Sequence, residues 1–170
     1  NDTKAKLSMD ESSSAVRSLL DIGFYIKHIA QLGDLLIIDE PELNLHPENQ
    51  RKIARLLATL VNIGIKVFIT THSDYIIKEL NLLIMMNQES KRLQELVKKE
   101  NYFDYELIST QKIRVYTSEK SLIKIDGTQR KTNCQTLVEA DISQETGIEA
   151  ATFDKSIDEM NRIQDEMIWG

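Results

Sequence analysis

The sequence holds a single cysteine, Cys134, in 170 residues. One cysteine allows no internal disulfide, so a reducing, cytoplasmic compartment is expected and the thiol reads as a small packing residue. No apolar run approaches the roughly 18 residues of a membrane span, and no signal peptide is visible. No membrane partner is expected. Internal repeats, low-complexity tracts and flexible linkers are missing too. The six glycines stand at 23, 33, 64, 127, 147 and 170, and none directly precedes a lysine. A phosphate cradle of the form Gly-x-x-x-x-Gly-Lys-[Ser/Thr] is therefore absent from this chain. Positive charge is in the minority: the net charge of -6 argues against coating nucleic acid through bulk charge, though not against a local basic patch. What is present fits a soluble globular domain with a core, at 41% hydrophobic and 28% charged residues. The chain opens on Asn1 and stays polar to Lys6, which reads as a piece of something longer.

The most apolar stretch is Leu35-Leu36-Ile37-Ile38, which runs straight into Asp39-Glu40-Pro41-Glu42. Four large apolar residues without alternation predict a central strand over 35–39, buried on both faces as in a parallel α/β sheet. Before it, Val16, Leu19, Leu20, Gly23, Phe24 and Ile26 follow helical spacing, which predicts a helix over 11–32. Ser12, Ser13 and Ser14 are placed to cap that helix, Glu11 suits its positive end, and Gly33 ends it. After the strand, Pro41 breaks the run and Pro47 suits the first turn of a helix to about Asn62, with Ile53, Leu56, Leu57, Leu60 and Val61 buried. Ile65–Thr70 is a second buried strand. Strand, helix and strand at this spacing predict parallel pairing. Ser73 is placed to cap a helix over 74–81, and another helix is expected over 88–100 with Leu93, Leu96 and Val97 as its stripe. Ile113–Thr117 and Leu122–Ile125 read as a small antiparallel hairpin, 127–135 as a loop, and 136–142 as a third strand. A helix over Phe153–Trp169 would turn Ile157, Met160, Ile163 and Met167 inward.

The parallel pair sets the chemistry. Ligands of α/β sheets bind at the carboxyl ends of the strands, and there the chain places Asp39 and Glu40 beside Thr70-Thr71-His72-Ser73. Asp39 suits a hard cation such as Mg²⁺, held through water. Glu40, one residue on, points elsewhere and suits orienting or deprotonating a water. His72 suits donating to a terminal phosphate. His28 reads as structural. A zinc site built from His46, His72 and a carboxylate matches no familiar ligand spacing.

Leu35-Leu36-Ile37-Ile38-Asp39-Glu40-Pro41 resembles the Walker B motif of ABC-type ATPases, and Thr71-His72-Ser73 resembles their switch histidine. Leu43-Asn44-Leu45-His46-Pro47 is similar to the Asp-loop region of the SMC, RecF and OLD-like branch. Within that branch, Ser12-Ser13-Ser14-Ala15-Val16-Arg17 preceding Gly33-Asp34 resembles bacterial "AAA family ATPase" proteins of phage-defence or DNA-maintenance contexts. The resemblance covers about residues 8–82. It implies that Asp39 serves Mg²⁺, Glu40 the hydrolytic water and His72 the γ-phosphate of ATP. It also implies that Ser12, Ser13 and Ser14 take the signature-motif place, facing nucleotide on a second copy, and that Asn44 and His46 lie at the dimer interface. The serines depart from Leu-Ser-Gly-Gly-Gln, since no glycine follows them.

These readings together describe an α/β fold: the C-terminal part of an ABC-type P-loop NTPase, with parallel strands and flanking helices, a small antiparallel hairpin and a C-terminal helix. Residues 1–100 would form the C-terminal half of the ATPase core and 101–170 an appendage packed on the same domain. The expected function is ATP hydrolysis in a homodimeric head, with DNA or a defence effector protein as a further partner. Without a phosphate cradle the chain alone is expected to be inactive. A non-catalytic protein-interaction module derived from such an ATPase is the alternative. A metal-dependent nuclease would need a second acidic cluster; Asp154, Asp158 and Glu159 read instead as a solvated helix face.

Overall fold

The computed structural model describes residues 14–124, 131–149, 162–167 and 169. Helix α1 (Ser14–His28) leads into strand β1 (Leu35–Asp39), helix α2 (Pro47–Asn62) and strand β2 (Lys66–Thr70). Leu35 pairs with Lys66 and Asp39 with Thr70 in parallel register, as the spacing predicted. The α1 helix ends at His28, earlier than the expected residue 32, and Gly33 turns the chain at φ +90°. That positive φ is what makes glycine fit there. Asp34 fastens the turn, accepting from the Tyr25 hydroxyl and the Gln31 N–H, both at 2.9 Å. His28 closes α1, and its ring stands 4.8 Å from that of Phe24.

The α2 helix is where two cores meet. Ile53, Leu57 and Leu60 pack with Leu45 and Ile65 beneath Leu36, Ile38 and Val67 of the sheet, with Leu19 and Ile26 of α1 closing the cluster. On its other side, Ala54 and Ala58 admit helix α3 (Asp74–Met85), whose Ile76, Ile77, Leu80, Leu83 and Ile84 are buried. Small residues at a helix contact let the backbones approach closely, which periodicity in large apolar residues does not reveal. Leu56 and Val61, expected in the core, are only half-buried. The α3 helix runs four residues past the expected end, carried by the apolar run from Leu82.

Helices α1 and α2 lie against the Leu36/Ile38/Val67 face of the sheet. The other face, with Leu35, Ile37 and Phe68, is exposed, Ile37 at 65%. The expectation of strands buried on both faces therefore fails for this chain. The alternation appears because the sheet has only two described strands and one covering layer. On α1, Leu20 and Phe24 are likewise exposed, so its apolar face is wider than the surface it covers.

Helix α4 (Lys91–Lys99) is shorter than expected and buries Val97 alone, while Leu96 is exposed. Beyond one-turn 3₁₀ helices at Asp104–Glu106 and Thr110–Lys112, strand β3 (Tyr116–Lys124) pairs antiparallel with strand β4 (Lys131–Glu139). The expected hairpin is thus redrawn. Ser118-Glu119-Lys120-Ser121 is the middle of one nine-residue strand, and 131–135, expected as loop, belongs to its partner. Polar residues sit comfortably in a ribbon with two wet edges. Cys134 is half-buried within β4. The predicted third strand over 136–142 divides at Ala140 into the end of β4 and strand β5 (Asp141–Ser143), which pairs with β6 (Gly147–Glu149). Residues 162–167 are helical, as expected, but Ile163 and Met167 are exposed rather than inward. Ile157, Met160, Asp154, Asp158 and Glu159 lie outside the described residues.

Candidate active site

The carboxyl ends of β1 and β2 carry the site. Asp39 ends β1 opposite Thr70, whose hydroxyl donates to Asp39 Oδ1. The Glu40 N–H continues the ladder, donating to the Thr70 carbonyl at 3.1 Å and standing 3.2 Å from its hydroxyl oxygen. Glu40 itself adopts φ +46°. A left-handed backbone at a non-glycine residue is uncommon, and here it turns successive side chains off the strand line. Its carboxylate faces the neighbouring strand end: His72 Nε2 lies 3.5 Å from Glu40 Oε1. The imidazole is otherwise open to solvent, its side chain 89% exposed. Three residues picked from sequence are therefore brought to one edge.

The loop from 40 to 46 is built by its own bonds. Leu43 N–H donates to the Glu40 carbonyl at 3.0 Å and Leu45 N–H to the Glu42 carbonyl at 2.9 Å. Asn44 takes φ +62°, a conformation its short amide side chain tolerates better than most. Leu45 plugs the core below, while Asn44 and His46 remain exposed. His46 also has a local task. It is the N-cap of α2, its Nδ1 accepting from Glu48 N–H at 3.4 Å, with Pro47 as the first helical residue. Ser73 caps α3 as predicted, accepting from Ile76 N–H at 3.2 Å. Ser12 and Ser13 lie outside the described residues, and Ser14 begins α1, so the serines are not brought to the acid pair by anything described.

Among the described residues no group of three or more His, Cys, Asp or Glu side chains converges as a metal site, which leaves nothing for the zinc arrangement. A water-sheathed Mg²⁺ asks for less: one or two carboxylates, with the rest of the shell from water and phosphate. Asp39 fits that demand, being exposed at a strand end with one oxygen engaged by Thr70. Sequence reading passed over Glu42, whose Oε1 accepts from the Thr71 hydroxyl at 2.7 Å and the His72 N–H at 2.8 Å. The signal available was its place as the third carboxylate after the strand. A cavity of about 360 Å³ lies elsewhere, between Arg51, Arg55, Glu79, Leu82, Leu96 and Tyr102, and no residue of the acid edge lines it.

Comparison with known families bears on the same stretch. Residues 2–77 match the family model of an AAA ATPase domain. The match supports an AAA-type ATPase family and ends just beyond His72, so it takes in both strand ends and the whole candidate site. No curated protein and no solved structure matches the chain. An AAA-type ATPase family makes nucleotide the expected ligand class, and the mixed helix and sheet arrangement is compatible with part of an α/β ATPase domain. No helix among the described residues is long and apolar enough to cross a membrane.

Proposed function

We propose that this edge is the hydrolytic half of an ATP site in an ABC-type head of the SMC, RecF and OLD-like branch. The observation that carries the reading is the approach of His72 Nε2 to Glu40 Oε1, 3.5 Å, across the ends of paired parallel strands. In this reading Asp39 holds Mg²⁺ through its water shell, and the ion neutralises phosphate charge when bound. Glu40 orients the attacking water and takes its proton. His72, exposed at the strand end, donates to the terminal phosphate. The phosphate cradle that must complete the site has no counterpart in these 170 residues, so the chain by itself is proposed to be inactive. Ser12, Ser13 and Ser14 would face nucleotide on a second copy, and the exposed Asn44 and His46 would border it. Residues 1–100 make up the ATPase part and 101–170 the appendage; DNA maintenance or phage defence is the setting proposed, with DNA or an effector protein as partner.

A second reading, an interaction module derived from such an ATPase, draws on the β3–β4 ribbon, where Tyr116, Leu122 and Leu137 are exposed. One substitution tests the first reading. Glu40→Gln in the ATP-hydrolysing protein is expected to slow turnover about 100-fold while leaving nucleotide binding intact. Turnover at the wild-type rate would remove Glu40 from its role, whereas a complete protein that hydrolyses no ATP before any substitution would favour the interaction module.

A further inference from the structure

Glu42 stands three positions beyond Asp39, yet its carboxylate is directed at the neighbouring strand end rather than at solvent. Its Oε1 accepts two hydrogen bonds, from Thr71 Oγ1 at 2.7 Å and from the backbone N–H of His72 at 2.8 Å. The bond to His72 holds the main chain that carries the imidazole. Its other oxygen, Oε2, is buried and takes no hydrogen bond. An unmatched buried carboxylate oxygen is costly, so a side chain chosen for packing alone would be poorly placed here. A second strut runs alongside. Gln50 of α2 donates from Nε2 to the Leu45 carbonyl at 2.9 Å and accepts from the Ser73 hydroxyl at its Oε1.

We propose that Glu42 is a positioning residue that locks the loop after β1, with its acid pair, to the loop after β2, with His72, so that the two catalytic loops hold one register. The catalytic consequence rests on the hydrolytic reading above; the coupling itself rests on geometry. Glu42 holds Thr71 and His72, and Gln50 holds Ser73, so the segment after β2 is fastened at three consecutive residues. Charge-assisted bonds from a carboxylate to N–H and O–H are the stronger kind, so Glu42 carries more of the coupling than the neutral Gln50.

Glu42→Leu and Glu42→Gln test it, with two readouts. The first is amide hydrogen exchange at His72 in the full chain. Glu42→Leu is expected to speed it about tenfold or more at an unchanged global melting transition. Glu42→Gln keeps an acceptor oxygen and is expected to restore protection to within about threefold. The second is steady-state ATP hydrolysis by the ATP-hydrolysing protein, where Glu42→Leu should lower kcat about tenfold with KM within about twofold, and Glu42→Gln should recover most of it. Unchanged His72 exchange in Glu42→Leu overturns the proposal. So does a kcat that Glu42→Leu leaves alone in a protein that Glu40→Gln silences. If Glu42→Leu does not fold, Glu42→Asp decides: withdrawing the carboxylate by one carbon is expected to speed His72 exchange, and native exchange at His72 overturns the tether. Full hydrolysis by Glu40→Gln would instead refute the hydrolytic reading and leave the exchange result standing.

Discussion

At the scale of single residues, an ion-pair network outside the acid edge ties α3 and the segment after α4 to α2. Glu79 of α3 is 1% exposed and meets Arg51 Nε at 2.6 Å. Arg51 Nη2 also donates to the Tyr102 hydroxyl at 2.9 Å. Arg55 grips Glu106 with two bonds, at 3.0 and 2.7 Å, and lies over the Tyr102 ring, 4.4 Å from its centre. Burial, and then the Glu79 carboxylate, push the Tyr102 phenol above its ordinary pKa. A buried pair costs most when one member is removed and the other is left charged in the interior. Arg51→Leu is therefore expected to destabilise by about 3 kcal/mol, the low end of the buried range because Arg51 is half-exposed. Adding Glu79→Leu should recover most of that loss. Urea denaturation of both variants measures it, and a double variant no more stable than Arg51→Leu would contradict the account. None of this network was legible in the sequence, because its partners stand 28 and 51 positions apart with no periodic signal to join them.

Among the elements, β6 hangs on one tight contact. Gly147 takes φ +78°, and a Cβ there would fall 2.9 Å from Asn81 Cγ and Oδ1 on α3. The same Asn81 Oδ1 accepts the Ile148 N–H at 2.9 Å, which seats Ile148 in the main core. Gly147→Ala combines a disfavoured backbone with a clash, and should cost about 1–3 kcal/mol. Thermal unfolding checks it; a shift within error would mean that the β5–β6 hairpin moves aside without loss. Sequence reading recovered β1, α2 and β2 almost to the residue, because an unbroken apolar run, a helical stripe and Pro47 each point the same way. It placed Asp39, Glu40 and His72 on one edge for that reason: parallel register leaves strand ends no other place to go. It misread β3 and β4, where Ser118 to Ser121 looks like a turn. Strand character there comes from cross-strand pairing, a non-local term that local composition does not carry.

Across the whole molecule, the sheet is one-sided. Leu36, Ile38 and Val67 face the helices, whereas Leu35, Ile37 and Phe68 face outward. This side of the sheet is an exposed apolar surface. Ile37→Ser should change stability by no more than about 0.5 kcal/mol, while Leu36→Ser one position earlier should cost about 2–4 kcal/mol. Equal costs in denaturant titrations would mean that both faces are covered, as the unbroken apolar run suggested. The bonds that shape the candidate site, Thr70 to Asp39, Thr71 and His72 to Glu42, and Ser73 to Gln50, all join the stretch that follows β1 to the stretch that follows β2. These bonds lie within residues 39–73, the strand–helix–strand unit and the three residues that follow it. In kinetic terms the acid edge is expected to form once β1 and β2 pair across the α2 crossover, and it needs neither the ribbon nor the hairpin at 141–149 in place.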